Sequence, residues 1–200
     1  MLDSVGSWAA GSGGEEIQLP EVEIKARVRD PEETVRRLET LGARLVRPRA
    51  FEDNVLWDLP GLPLAGAGRL LRVRTTAGRT VVTAKGPADA DSRFKVRPES
   101  EMEITDDAAF AEVLATAGFV TSWRYQKWRR EYEFGGTSIV IDEIPHGTFL
   151  EIEGERDAID AIAAALGIGE SDRILATYRE IHERACGDGP VGDMVFPGAR

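Results

Sequence analysis

Four short stretches of this sequence place charged side chains two residues apart: Glu21, Glu23 and Lys25; Arg72 and Arg74; Lys127 and Arg129; Glu151 and Glu153. In an extended strand, residues two apart share a face at a spacing of roughly 6.5–7 Å, so each stretch presents a charged face. A fifth stretch carries Arg93, Lys95, Arg97, Glu99, Glu101 and Glu103 on one parity. Carboxylate pairs on facing strands suit Mg²⁺, a hard cation that takes oxygen ligands. Arg and Lys suit phosphate, which they hold by charge-assisted hydrogen bonds while neutralising developing charge. Together these groups suit phosphoryl transfer, in which positioning and charge stabilisation supply most of the acceleration.

Any one of these pairs, taken singly, reads as a solvated strand face with charges paired across strands. The set reads differently. Its polar faces are almost all Lys, Arg and Glu, with little Thr, Ser or Gln, and there are enough strands to close a barrel. Helices packed outside a barrel would turn the charged faces inward.

The elements that must position these residues follow from periodicity. EVEIKARVR at 21–29 alternates charged and apolar residues, as a strand with two unlike faces does. Asp30, Pro31 and Glu33 then supply an N-cap, a first-turn proline and a capping-box acid for a helix running through Val35, Leu38 and Leu41 to Gly42. Strand-like runs follow at RLVRPRAFEDNVLWD, RLLRVRTTAG, RTVVTAKGP and SRFKVRPESEMEI, with PGLPLAGAG as a loop. A second helix fits Asp106 or Asp107 to Ala117, mirroring the first as in a weak duplication. Strands at WRYQKWRREYEF, SIVIDEI and FLEIEGE precede helices near 157–166 and 171–186. Regular βα alternation is missing, so the expected class is α+β on an antiparallel sheet.

Residues 1–19 read as a flexible leader, 20–186 as one folded domain and 187–200 as a flexible tail. The formal charge of −10 disfavours nucleic acid and anionic membranes as partners, so an anionic ligand needs a local basic cluster. Cys186 is the sole cysteine, which excludes an internal disulfide and a Cys-rich zinc site. With no membrane-length apolar run and no signal-peptide pattern, a cytoplasmic protein is expected. Oligomeric state is left open, with a homodimer allowed.

EVEIK resembles the ExExK signature of the CYTH superfamily, the triphosphate tunnel metalloenzymes, and the resemblance continues in order. Arg72-Val73-Arg74 is similar to the family's RxR strand, Thr83-Ala84-Lys85-Gly86-Pro87 to its TxKGP segment and Glu101-Met102-Glu103 to its central acidic strand. Lys127-Trp128-Arg129 resembles KxR, Asp142-Glu143 with Pro145 and Gly147 the D-E-x-P-x-G turn, and Glu151-Ile152-Glu153 the last ExE strand. The resemblance implies an eight-stranded antiparallel β-barrel with helices outside, a triphosphate within it and Mg²⁺ or Mn²⁺ as cofactor. It implies Glu21, Glu23, Glu151 and Glu153 as metal ligands, with the central Glu101 and Glu103 and Asp142 as further metal candidates, Asp142 lying near the metal or orienting the nucleophile. Glu99-x-Glu101 fits the central strand as well as Glu101-x-Glu103 does. Lys25, Arg72, Arg74, Lys85, Lys95, Lys127 and Arg129 are implied to grip phosphates, with Lys25, Lys85, Arg129 and Asp142 as the catalytic set.

Within the superfamily, DNVLWD, FKVRPE, RYQKWR and ATYREIH are most similar to the class IV adenylate cyclase branch, implying conversion of ATP to cyclic AMP and pyrophosphate. Hydrolysis of tripolyphosphate or of an organic triphosphate, such as thiamine triphosphate, uses the same residues. A non-catalytic polyphosphate- or nucleotide-binding module is a third reading, disfavoured by the paired acids. Other candidates carry less. Gly66-x-Gly68 lacks the following Lys-Ser/Thr of a phosphate loop and reads as a turn. His146 reads as a loop residue, His182 as helix surface, and Trp123, Tyr125 and Trp128 as packing.

Overall fold

The computed structural model describes residues 21–89 and 93–198; the leader expected at 1–19 lies outside them. In chain order the elements are β1 (Glu21–Val28), α1 (Pro31–Leu41), β2 (Arg44–Asp58), the single-turn α2 (Pro63–Gly66), β3 (Leu70–Thr76), β4 (Arg79–Lys85), β5 (Lys95–Arg97), β6 (Glu99–Ile104) and α3 (Asp107–Thr116). There follow β7 (Val120–Phe134), β8 (Thr137–Ile144), β9 (Gly147–Glu153), α4 (Arg156–Ala165), a 3-10 turn (Glu170–Asp172) and α5 (Tyr178–Cys186). All strand pairs are antiparallel, in the order β5-β1-β9-β8-β7-β2-β3-β4-β6.

The two edge strands of that order, β5 and β6, are separated in the chain only by Pro98, so the sheet curls into a nearly closed barrel. This also explains why nine strands stand where eight are expected: proline lacks the ladder N–H and divides one strand into two. Pro98 O still accepts a hydrogen bond from Gly86 N at 2.9 Å. A Cβ on Gly86 would lie 2.6 Å from Pro98 Cγ, so the crossing requires glycine.

Strand alternation decides what faces where. Ile24, Val96, Ile139, Ile141, Leu150 and Ile152 point out of the barrel and pack with Leu38 of α1 and Ile159 and Ile162 of α4. Each such side chain contributes about 1.5–3 kcal/mol by leaving water. The outer layer therefore stabilises the fold, while the charged inner face costs desolvation. Helix α1 starts where expected, with Asp30 Oδ1 accepting from Glu33 N at 2.9 Å, and ends at Gly42 in the left-handed region (φ 88°).

A second apolar cluster, of Trp123, Tyr125, Ile144, Phe149 and Met194 with Tyr178 and Ile181 of α5, covers one end of the barrel. Here two expectations are corrected. Part of the tail expected to be loose is docked: Met194 O accepts from Gln126 N at 2.9 Å, Met194 N donates to Arg124 O at 3.0 Å, and Met194 is 1% exposed. The reason is that β8 pairs with β7 only from Trp128 onward, leaving the 123–127 edge open for the tail. His182, expected on the helix surface, is buried because the same strap passes over α5, and its Nε2 donates to Gly192 O at 3.0 Å. Its Nδ1 lies 2.7 Å from Nε2 of His146 in the β8–β9 turn. No described helix is long and apolar enough to cross a membrane.

Candidate active site

The inner face of the barrel encloses a cavity of about 870 Å³. Among the described residues its lining carries twelve Lys and Arg side chains against eight Glu, so its walls are net positive although the chain as a whole carries −10. Glu21, Glu23, Lys25, Arg72, Arg74, Lys85, Lys95, Glu101, Glu103, Lys127, Arg129, Glu151 and Glu153 all reach it. Asp142 does not line it and stands behind Lys127 and Arg129.

The acids divide by what holds them. Asp142 is 0% exposed. It accepts from Lys127 Nζ at 2.9 Å, from Arg129 Nε at 2.7 Å and Nη2 at 2.6 Å, and from the Tyr178 hydroxyl at 2.8 Å. Glu151 accepts from Arg129 Nη2 at 2.7 Å and lies 3.3 Å from Lys25 Nζ. Burial works to raise the Glu151 carboxyl, but Lys25 and Arg129 overcome it and hold it well below the usual range. The central strand takes the Glu99-x-Glu101 register toward the cavity's middle: Glu101 accepts from Thr83 Oγ1 at 2.6 Å and from Arg72 and Arg74, while Glu99 lies 2.6 Å from Lys85 Nζ. Glu103 sits with Arg79 at the exposed rim.

A second group of acids is crowded as well as paired: Glu21 accepts from Lys85 Nζ at 2.6 Å and Glu23 from Lys95 Nζ at 2.5 Å. Glu23 and Glu153 are direct cross-strand partners on β1 and β9, and Glu21 follows on the same face. Burial, then Glu21 and Glu23, push the Glu153 carboxyl up to about 7. Burial also raises Glu21, with Glu99 adding to it, against the pull of Lys85 at 2.6 Å. No three described His, Cys, Asp or Glu side chains already converge as a ligand set. The donor chemistry nonetheless fits a hard divalent cation, because Glu21, Glu23 and Glu153 set carboxylate oxygens on one inner face of β1 and β9.

The cations are held by the same network. Lys25 Nζ donates to Ala176 O at 3.2 Å, and although burial opposes its charge, Glu151 and Glu23 raise it above its ordinary range. It is therefore a fixed positive charge and a poor base. Tyr178, the first residue of α5, closes this end: its ring lies 4.5 Å from Lys25 Nζ and 5.6 Å from Lys127 Nζ. Burial and the adjacent Asp142 raise the Tyr178 hydroxyl far above its ordinary range, so it remains a donor. Arg72 donates to Thr83 Oγ1 at 3.0 Å and Tyr125 OH at 3.3 Å, which fixes its plane across the inner face.

Three inner-face residues escape motif reading. Glu52 and Asn54 occupy the inner parity of β2, and Tyr178 reaches inward from a helix start. The alternation Glu52-Asn54-Leu56 opposite Arg72 and Arg74 is the signal for the first two; nothing local in ATYREIH signals the third.

The comparisons agree with this architecture. A Methanocaldococcus jannaschii protein that bears the provisional name adenylate cyclase is 28% identical over 172 residues, covering 80% of this chain and 97% of its own length. The solved structure of a Vibrio parahaemolyticus protein, provisionally called an adenylate cyclase, matches with TM-score 0.74 at 23% identity, over 82% of this chain and 97% of its own. A Hippeastrum protein provisionally called an adenylyl cyclase, and described as having a dominant triphosphatase activity, matches with TM-score 0.60 at 17% identity, over 86% of this chain and 98% of its own. The family model for the CYTH domain matches residues 19–180, a span that takes in every strand of the barrel and reaches Tyr178 at its closed end, and the chain belongs to the CYTH domain family.

Proposed function

We propose that this chain is a metal-dependent enzyme acting on a triphosphate held inside the barrel, with conversion of ATP to cyclic AMP and pyrophosphate as its leading reaction. The observation that carries this is the reversal of charge between molecule and cavity: an acidic protein encloses walls with twelve cationic side chains against eight acids. Such an enclosure attracts a polyanion and strengthens each contact with it by excluding water.

Glu21, Glu23 and Glu153 would hold Mg²⁺ or Mn²⁺, which when bound neutralises phosphate charge and polarises the phosphorus under attack. Lys127 and Arg129, anchored on Asp142, and Arg72 and Arg74, anchored on Glu101, would hold the phosphate oxygens without reorganising during the reaction. In cyclisation the ribose 3′ oxygen attacks the α-phosphorus, its hydroxyl proton is released, and the bond to the bridging oxygen breaks. The same four cations would then take up the charge on the departing pyrophosphate. Lys25 and Lys85 add fixed charge. Support for cyclisation comes from the Methanocaldococcus relative, which aligns over nearly its full length.

Hydrolysis of tripolyphosphate or an organic triphosphate is a second reading, and one feature favours it: the lining offers many cations but few neutral polar side chains to recognise a base. The Hippeastrum protein's triphosphatase activity points the same way. Incubation with ATP and, separately, tripolyphosphate in Mg²⁺ or Mn²⁺ separates the two. Cyclic AMP with pyrophosphate supports cyclisation; orthophosphate without cyclic AMP supports hydrolysis; binding of both without turnover overturns the enzyme reading.

A further inference from the structure

The chain has two histidines, neither of which lines the cavity, and the fold brings them together. Nε2 of His146, in the β8–β9 turn, lies 2.7 Å from Nδ1 of His182 on α5, with ring centroids 5.0 Å apart. This contact is one link of a longer series. Nε2 of His182 lies 3.0 Å from Gly192 O in the strap, and the same carbonyl accepts from Trp123 Nε1 of β7 at 3.0 Å. Two residues on, Met194 pairs by its backbone with Arg124 and Gln126 of β7. The β8–β9 turn, α5, the strap and β7 are therefore tied through two imidazoles.

The hydrogens in this series are dictated by its ends. A carbonyl oxygen only accepts, so Nε2 of His182 carries the hydrogen that faces Gly192 O. In the neutral ring Nδ1 is then bare, and Nε2 of His146 must donate to it. A first added proton goes to Nδ1 of His146 and breaks neither bond. A second sets N–H against N–H at 2.7 Å and puts two positive rings side by side.

The surroundings oppose charge on the pair. From β1, Arg27 Nη1 donates to His146 O at 3.0 Å, and from α5, Arg184 lines the recess that Arg27 and His146 share. Arg179 of α5 stands over the Trp123 ring at 5.5 Å. Phe149, Ile174 and Ile181 complete the recess without charge. The Cys186 thiol, 3.7 Å from Nε2 of His182, is neutral in acid. The acids of these elements are engaged elsewhere: Glu183 with Arg179, Glu180 with the Thr177 N–H, Asp193 with the Arg124 N–H and Asp53 with the Arg124 guanidinium. Asp188, where the strap begins, is exposed. Burial, then His182 and Arg27, accordingly hold the His146 imidazole below its ordinary 6.5. A lowered folded-state value means that the fold favours the neutral ring, so its contribution is whole above 6.5 and is lost as pH falls below it.

We propose that His146 and His182 form an acid-sensitive clasp, which holds the C-terminal strap on β7 while at least one ring is neutral and releases it when both are protonated. The clasp is independent of what the cavity binds. Its effect reaches toward the cavity all the same, because Tyr178 stands one turn before His182 on α5 and donates to Asp142.

Amide hydrogen exchange of the full chain, followed by NMR from pH 7.5 to pH 4.5 and corrected for the intrinsic pH dependence of exchange, tests the clasp. Protection of the Met194 and Gln126 amides, which bond across the strap, is expected to fall about tenfold or more relative to the amides of β8. The fall is expected to coincide with uptake of the second proton by the pair, read from the ring nitrogen resonances, with both rings in the Nε2–H form at pH 7.5. In His146→Gln the side-chain amide offers its NH₂ to a neutral His182 and its oxygen to a protonated one, so the strap is expected to stay docked across the range. Glu153, which titrates near 7, is common to both proteins and cancels in the comparison. Constant protection in the unsubstituted protein, or the same fall in His146→Gln, would overturn the clasp. So would release of the strap in the unsubstituted protein that does not coincide with the second protonation, a result that needs no variant to fold.

Discussion

Glu23 of β1 and Glu153 of β9 stand directly opposite one another on the inner face of the barrel. Like charges in that relation destabilise a strand pair. The Glu153 carboxyl is pushed up to about 7 from its ordinary 4.5. A carboxyl with a raised folded-state value binds its proton more tightly folded than unfolded, so ionising it costs stability. That cost is absent below 4.5, grows as pH rises toward 7 and is complete above it. Without metal, Glu153→Gln is therefore expected to raise the melting temperature at pH 8 and leave it unchanged at pH 4. Solvent reaches Glu153, so the gain is moderated by screening. Calorimetry at the two pH values checks this; equal melting temperatures at pH 8 would contradict the crowding.

Arg72 and Arg74 share Glu101 as an anchor and face the cavity together. Replacing both with Ala is expected to weaken tripolyphosphate binding at least about a hundredfold, since each charge-assisted hydrogen bond is worth about 1.5–3 kcal/mol. Titration calorimetry measures it. Unchanged affinity would return these strands to the status of an ordinary charged surface.

Asp142 gathers Lys127, Arg129 and Tyr178 on one buried carboxylate. Asp142→Ala leaves two buried cations without their shared anchor and is expected to cost about 3–5 kcal/mol of stability. Asp142→Asn should cost less, weaken triphosphate binding and leave Mn²⁺ binding intact. Loss of Mn²⁺ binding in Asp142→Asn, followed by metal titration, would make Asp142 a metal ligand and not a positioning residue.

Met194 is the apolar peg of the C-terminal strap and is almost fully buried. Met194→Ala is expected to cost about 2–5 kcal/mol, as other large-to-small core changes do. Thermal melts check it. No change would mean that the strap does not hold to β7 in solution.

The charged inner face was legible because EVEIK, RLLRVR and FLEIE alternate with period two, and each residue's neighbours declare its face. Closure at Pro98 was half legible: the proline is visible in FKVRPE, but that it joins the two edges of one sheet depends on the pairing of β1 with β5 and of β4 with β6. The strap was illegible, because Met194 lies in a run rich in Gly and Pro and its burial depends on an edge that β8 leaves open. Glu52 was hidden among Glu52, Asp53 and Asn54, where only strand parity shows that Asp53 pairs outward with Arg124 while its neighbours turn in. Burial would raise the Glu52 carboxyl, yet Lys127, Arg129, Arg74 and Arg72 bring it to about 2, a reversal that exists only once four strands have met.

A crystal structure with tripolyphosphate and Mn²⁺ decides most directly whether the barrel is a triphosphate site. Phosphate density between Arg72, Arg74, Lys127 and Arg129, with an anomalous Mn²⁺ peak beside Glu21, Glu23 and Glu153, is the expected result. Tripolyphosphate bound only on the outer surface, with the cavity holding solvent at saturating ligand, would contradict it.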